Sequence, residues 1–380
     1  MLYTNMDGHN LTHPLLTIAI PTFNRAGFLE LCLSQFLADV DLVENNTVEI
    51  LVSDNCSADG TTKCIDALRE RGLPVRYVRN ETNVGSDANI AQCFNEARGD
   101  YVQILGDDDL YLPGKLREIV AILRQKERGV VCLKSYGYER DFLKERPSGR
   151  TALMDFAQAS DFLYKVGPLV TFISACIVNR RLLSDVDARA FCGSNLVQVH
   201  LVVRAMLRAP LNSYYVDYTL ACKRANSGGY DFSKIFVENF FEILASYETY
   251  GLPREAMRRL GTKMLISYYP FNLLRQRLAK QGDARATYSR FVTRFGRQYA
   301  FLVFCAPIIA LPRPLGVAWG WVAVLVGRIW NGELGRGLHF AIHQFSLMMR
   351  RTRSRAWISP ALHNVTAEKR RTDTHHRRKP

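Results

Sequence analysis

With 380 residues, 48% of them hydrophobic and 23% charged, the chain has ample material for a packed core, and wholesale disorder is excluded. Its formal charge of +14 is unevenly spread, at about −9 over residues 1–120, +4 over 121–250 and +19 over 251–380, so an acidic front and a basic back carry different tasks. The nine cysteines are scattered and never in CxxC spacing, which argues against a disulfide framework or a zinc site and fits a reducing cytoplasm.

From the start of the chain, the N-terminus lacks a basic n-region, so no signal peptide is expected. Short apolar runs rich in β-branched and aromatic residues predict strands at Leu16–Ile20, Val48–Ser53, Val75–Arg79 and Tyr101–Leu105. Helical patterns lie between them at Gly27–Leu37, Thr61–Arg71 and Ser86–Ala97, with Asp59-Gly60-Thr61 offering capping chemistry before the second. This alternation predicts an α/β fold with a mostly parallel sheet flanked by helices, in which ligands gather at the carboxyl ends of strands. Further strands are expected at Val130–Leu133, Thr171–Val178 and Tyr214–Cys222, with a helix over Asn195–Met206.

A boundary near residue 230 separates this domain, 1–230, from a helical region, 231–300. Residues 301–330 hold two apolar runs split by Pro312-Arg313-Pro314, each short of the roughly 20 residues a spanning helix needs. They predict a membrane-associating hairpin, a buried helical hairpin being the alternative. Residues 331–380 form a basic tail, expected to be partly disordered, with the cluster Arg350-Arg351-Thr352-Arg353-Ser354-Arg355. Arginines beside apolar segments suit an anionic membrane face. The interleaving of the two favours a membrane over nucleic acid as the partner.

Three strand ends carry candidate chemistry. After Tyr101–Leu105 comes Gly106-Asp107-Asp108-Asp109. Adjacent carboxylates cannot be buried ionised without a cation, and as hard oxygen donors they suit Mg²⁺ or Mn²⁺ shared with substrate phosphates; a solvated acidic loop is the bland alternative. After the second strand, Asp54 in Ser53-Asp54-Asn55-Cys56-Ser57 can accept hydrogen bonds from a base or ribose. After the first, Pro21-Thr22-Phe23-Asn24-Arg25 stops pairing and exposes backbone groups.

Taken in order, Ile18-Ala19-Ile20-Pro21-Thr22-Phe23-Asn24-Arg25, Ser53-Asp54-Asn55-Cys56-Ser57-Ala58-Asp59-Gly60-Thr61, Asn83-Val84-Gly85 with Ala88-Asn89, and Asp107-Asp108-Asp109 resemble the family 2 glycosyltransferases, which have the GT-A fold. The match is strong over about residues 15–125 and most like the bacterial branch that builds surface polysaccharides such as O-antigen. The resemblance implies an inverting transfer of sugar from a nucleotide-sugar donor to a saccharide or lipid-linked saccharide acceptor. Thr22 and Asn24 would line the nucleotide pocket and Asp54 would hold the base. Asn83, Gly85 and Asp87 would shape the base and ribose pocket, with Asp108 near the ribose. Asp107 and Asp109 would serve the divalent cation on the donor diphosphate.

Two departures matter. Many members carry a Glu-Asp pair whose Asp is the general base, and Gln198 stands in that place here. His200, two residues on, is the candidate base, a structural histidine being the other reading; two residues are about 200° of helix, so the two side chains point differently. Gly106 replaces the first carboxylate of the usual run. The Gly-rich basic stretch Lys223-Arg224-Ala225-Asn226-Ser227-Gly228-Gly229 reads as a phosphate loop with Arg224 as a fork, or as an ordinary turn. The missing base leaves two rival functions open, transfer to polyprenyl phosphate and a catalytically inactive nucleotide-binding scaffold. The expected location is cytoplasmic, peripheral to the inner membrane.

Overall fold

The computed structural model describes residues 13–224 and 231–330. Residues 225–229 of the proposed phosphate loop and the basic tail 331–380 lie outside the described residues.

Nine strands form one sheet: β1 (Leu16–Thr22), β2 (Val48–Asp54), β3 (Arg76–Arg79), β4 (Tyr101–Ile104), β5 (Asp109–Tyr111), β6 (Val130–Tyr138), β7 (Leu153–Phe156), β8 (Cys176–Asn179) and β9 (Asn212–Lys223). Their order is β3-β2-β1-β4-β8-β6-β9-β5, with β7 also on β9. The β3-β2-β1-β4 half is parallel, in the register Thr22 with Asp54 and Ala19 with Ile104. Beyond β4 the sheet is mixed, since β8 runs antiparallel to both β4 and β6 while β9 lies parallel to β6.

The helices of the first part are α1 (Ala26–Ser34), α2 (Val40–Glu44), α3 (Thr61–Glu70), α4 (Ser86–Glu96), α5 (Lys115–Gln125), α6 (Ala159–Val166) and α7 (Val197–Arg208). A second set follows: α8 (Phe240–Ser246), α9 (Arg254–Ser267), α10 (Tyr269–Ala279), α11 (Ala284–Phe295), α12 (Ala306–Ala310) and α13 (Arg313–Trp330). Asp59 does more than the capping chemistry expected of it. Its carboxylate accepts from the Thr61 amide (3.0 Å) at the start of α3 and from the Ala26 amide (2.9 Å) at the start of α1, satisfying free amides of two helices at once.

Strand alternation divides the core between the two sheet faces. Leu16, Ile18 and Ile20 of β1 join Val48, Ile50 and Val52 of β2 under α1, α3 and α5. Ala19 and Leu51 point the other way, into a core that runs through Phe94, Val199 and Val203 to Phe241, Leu260, Phe291 and Phe301. That second core is continuous across residue 230, so the helical region is packed onto the sheet and not strung beside it.

Residues 301–310 are largely consumed by this packing: Phe301, Cys305, Ile308 and Ile309 are buried. Helix α13 lies against α9 and α10 by a face of small residues, and a Cβ at Gly327 would stand 2.4 Å from the Ile266 carbonyl oxygen. The expected hairpin is thus half buried helical hairpin. Its outer half is different, because Leu315, Trp319, Val322 and Ile329 of α13 remain 40–58% exposed. No helix among the described residues is long and apolar enough to cross a membrane.

Three expectations change in detail. Thr171–Val178 is two 3-10 turns followed by the short β8. Asp109 opens β5, pairing antiparallel with Cys222 of β9. The helix expected at 195 begins at Val197, because Asn195 takes a left-handed φ of 57°.

Candidate active site

The parallel half delivers Thr22, Asp54 and the turn after Ile104 to one edge, at the carboxyl ends of β1, β2 and β4. Gln103 fixes that turn from below. Its amide donates to the Ser174 carbonyl (2.7 Å) and its oxygen accepts from the Tyr111 hydroxyl. The Asp109 amide closes the turn on the Gly106 carbonyl at 3.1 Å.

Asp107 is 2% exposed. Its Oδ2 accepts from the Thr22 hydroxyl (2.8 Å) and its Oδ1 pairs with Arg25 Nη1 (2.8 Å). The other Arg25 nitrogen, Nη2, lies 2.8 Å from Asp108 Oδ2. Asp109, 4% exposed, accepts from the Ser174 hydroxyl, which in turn accepts from the Gly106 amide at 2.9 Å. Burial pushes Asp107 up to about 6, against the opposing pull of Arg25 and Thr22. It pushes Asp109 up to about 7, helped by the Asp108 charge.

Those shifts test the fit to a divalent cation. Two buried carboxylates hold protons well above their ordinary range because one guanidinium and two hydroxyls do not compensate them. A hard cation would. Among the described residues no three His, Cys, Asp or Glu side chains are grouped to hold a metal. A cation seated there would take one or two carboxylate ligands from the turn and the remainder from phosphate oxygens and water, which is how Mg²⁺ is usually held. Gly106 has little room to be otherwise, since a Cβ there would lie 3.1 Å from Asp109 Oδ2 and 3.2 Å from Asp108 Oδ1.

Asp54 is fully buried at the end of β2. Oδ1 accepts from the Ser57 amide (2.9 Å), Oδ2 accepts from the Tyr77 hydroxyl (2.6 Å), and Arg79 Nε stands 3.5 Å away. Asn24, at a left-handed φ of 53°, accepts from the Ala58 amide with its side chain and donates its own amide to Ser57 Oγ, both at 2.8 Å. Thr22 and Asn24 thus have their polar side-chain atoms already engaged. So has Asn55: its side chain donates to Asn83 Oδ1 (2.8 Å) and accepts from the Val84 amide (2.9 Å). Gly85, at φ 86°, starts α4 in a conformation that favours glycine.

Asp87, in the first turn of α4, has one carboxylate oxygen engaged by main chain. Its Oδ2 accepts the amides of Gly193 (2.7 Å) and Asn195 (2.9 Å), tying the first turn of α4 to the loop before α7. On α7, Gln198 donates to the Thr171 carbonyl (2.8 Å) and leaves its buried Oε1 without a partner. His200 faces elsewhere. It stacks on Phe191 at 4.4 Å between ring centroids, and its Nδ1 lies 2.9 Å from the Tyr247 hydroxyl. Burial, with the Arg204 charge, pulls it down to about 4. The ring thus sits in an aromatic stack between Phe191 and Tyr247. Arg224 is exposed beyond β9, donates its amide to the Tyr138 carbonyl (2.9 Å) and lies 3.8 Å from Glu139.

Arg25, Ser174, Gln103 and Tyr77 were given no role from sequence. Arg25 was visible inside its motif; Ser174 sits in a stretch whose apolar neighbours read as plain strand.

Comparison with known proteins supports the geometry. The model of the glycosyl transferase family 2 matches residues 17–186. Abequosyltransferase RfbV of Salmonella typhimurium is 26% identical over 238 residues, 57% of this chain and 68% of that protein. The GalNAc(5)-diNAcBac-PP-undecaprenol beta-1,3-glucosyltransferase of Campylobacter jejuni is 30% identical over 108 residues, 28% of this chain and 34% of that protein. Among solved structures, S. aureus TarS 1-349 in complex with UDP-GlcNAc superposes with a TM-score of 0.51 over 84% of this chain and 92% of that one. At 16% identity that likeness speaks for the fold alone. The matched segment runs from β1 through the acidic turn to just beyond β8, so residues 17–186 are those of a family 2 glycosyl transferase match, set in a sheet with the GT-A fold.

Proposed function

We propose that the protein transfers a sugar from a nucleotide-sugar donor to a saccharide acceptor carried on a lipid, by one displacement that inverts the anomeric carbon. The observation that carries this reading is the pair of buried carboxylates, Asp107 and Asp109, whose proton affinity burial raises, at the carboxyl end of β4. The likeness to RfbV and to a transferase named for an undecaprenol-linked substrate supports the acceptor class.

In this reading the nucleoside lies along Thr22, Asp54, Asn83 and Gly85, with Tyr77 and Arg79 orienting Asp54. Asp107 and Asp109 hold a divalent cation, Mg²⁺ or Mn²⁺. Bound there, it neutralises charge growing on the departing nucleoside diphosphate. Ser174 orients the Asp109 carboxylate, and Thr22 orients that of Asp107. Asp87 anchors the 193–195 loop and with it the start of α7, where Gln198 faces the acceptor side. The apolar outer face of α13, beside a strongly basic sequence, rests on the cytoplasmic face of a membrane.

Gln198 and the packed His200 favour a second reading, transfer to polyprenyl phosphate, whose anionic oxygen needs no base to attack.

Calorimetric titration of UDP, GDP, CDP and dTDP, with and without Mn²⁺, tests the donor site in wild type and Asp109→Ala. Tight binding of one nucleotide that needs both metal and Asp109 supports the proposal. Failure of all four to bind overturns it. Radiolabelled transfer to a lipid-linked saccharide against polyprenyl phosphate then separates the two acceptors.

A further inference from the structure

A cleft of about 220 Å³ opens between the end of α10, the start of α11 and the start of α13. Arg277, Lys280 and Arg313 line it together with Gln276 and Gln281. Two of the three cations are built in place. Arg313 donates Nε to the Arg277 carbonyl (2.9 Å) and Nη2 to the Leu278 carbonyl (3.1 Å), capping the end of α10. Arg277 donates Nη2 to the Leu311 carbonyl, while its Nε is buried with no partner. The guanidinium lies over Gly316, where a Cβ would come within 3.1 Å of Nη2. Lys280 follows α10 at a left-handed φ of 55° and is exposed.

None of the three cations makes a salt bridge among the described residues, although nearby basic residues such as Arg290 find carboxylates. Asp283 is spent on capping α11, accepting the Arg285 and Ala286 amides at 2.8 and 3.1 Å. A pocket with three converging cations and an orphaned buried N–H is short of one anion.

The neighbouring surface says what bears it. From Arg313 onward, Leu315, Trp319, Val322, Val326, Ile329 and Trp330 form an outward stripe of spacing four, three, four, three and one. A surface helix ordinarily turns charged residues outward. This one turns outward a face that is apolar throughout, within a stretch, residues 251–380, that carries about +19. A second copy of the chain would bring the same positive charge; an anionic bilayer complements it.

We propose that this cleft binds a phosphate carried on a lipid, fixing the protein on the bilayer with α13 lying in the interface. The proposal rests on the membrane-facing reading of α13 above, and the experiment separates the two.

Three of the four tryptophans, Trp319, Trp321 and Trp330, sit on α13, and Trp357→Phe removes the fourth. Full-length Trp357→Phe protein is mixed with brominated phosphatidylcholine vesicles, plain or containing phosphatidylglycerol or polyprenyl phosphate. Quenching on plain vesicles reports insertion of α13. Tighter partition on the anionic vesicles, lowered about fivefold for each of Arg277→Gln and Lys280→Gln, is the expected result. Lys280→Gln decides the matter if Arg277→Gln disturbs the seat of α13, with circular dichroism checking both folds. Quenching with unchanged partition in both variants overturns the cleft and leaves the membrane reading standing. Absence of quenching on every vesicle overturns both, and so does concentration-dependent dimerisation that protects the tryptophans. Calorimetric binding of inorganic phosphate that vesicles cannot displace assigns the cleft to a soluble anion and overturns the lipid.

Discussion

Arg25 Nη1 stands 2.8 Å from Asp107 Oδ1, so in the free protein a guanidinium takes up the place of a counterion at the acidic turn. The same group reaches Asp108, so one guanidinium bridges two carboxylates of the turn. A cation arriving on Asp107 has to compete with it. Arg25→Ala is expected to bind Mn²⁺ several-fold more tightly without nucleotide, read by paramagnetic titration. The metal-free variant should also lose about 1–2 kcal/mol of stability, since the pair is only partly buried. Weaker Mn²⁺ binding would show that Arg25 supports the cation.

The pH dependence of stability follows from Asp109. Its folded pKa is raised to about 7 by burial, whereas an unfolded Asp releases its proton near pH 3.9. Between these values the folded protein holds a proton the unfolded chain has lost, so metal-free stability falls as pH rises through this window. Above it the full penalty applies. Asp109→Asn removes the penalty and is expected to be more stable than wild type at pH 8, by roughly 1–4 kcal/mol, and no more stable at pH 4. Saturating Mn²⁺ should narrow the gap at pH 8. Equal urea midpoints at both pH values would contradict this account.

His200 offers a direct check on the base. Loss of a true general base lowers turnover about 10²–10⁴-fold. His200→Phe keeps the stack on Phe191 while removing the nitrogens, and turnover is expected to stay within a factor of about ten of wild type. Its pH–rate profile should be unmoved. A drop beyond a hundredfold in a folded variant would return His200 to the chemistry.

Helix α13 is held by close backbone approach. Gly327→Leu places side-chain atoms where the Ile266 carbonyl stands and is expected to cost about 1–3 kcal/mol. Val322→Ala, on the exposed outer face, should stay within about 0.5 kcal/mol. Urea unfolding of both distinguishes a seated helix from a loose one.

The parallel half was legible because each strand is a dense apolar run closed by a breaker. Leu16–Ile20 and Val48–Ser53 differ from β1 and β2 only at their ends, where Thr22 and Asp54 extend the ladder. The acidic turn was legible as chemistry, but not that Asp109 is already in a strand, since its partner Cys222 lies 113 residues away and three residues carry no periodicity. Ser174 was hidden for a related reason: its hydrogen bonds to Gly106 and Asp109 are tertiary. At His200 the residue type suggests chemistry, while its packing was not legible: Phe191 stacks on it from the loop before α7 and the Tyr247 hydroxyl reaches it from 47 residues on. The apolar content of 301–330 was plain. Which half of it faces inward depends on the glycines of α13 meeting α9 and α10, a pairing no local pattern records.

Asp87 reaches across to the loop before α7 and grasps two main-chain amides, with no side chain involved at 193 or 195. Such a clasp reads backbone shape and is blind to residue identity, so long as Gly193 and Asn195 keep their left-handed turns. The seam between α4 and this loop is therefore a place where recombination can exchange what comes after without retuning what comes before. On the proposed function, chimeras joined there should inherit one parent's appetite for nucleotide and the other's for the molecule that receives the sugar.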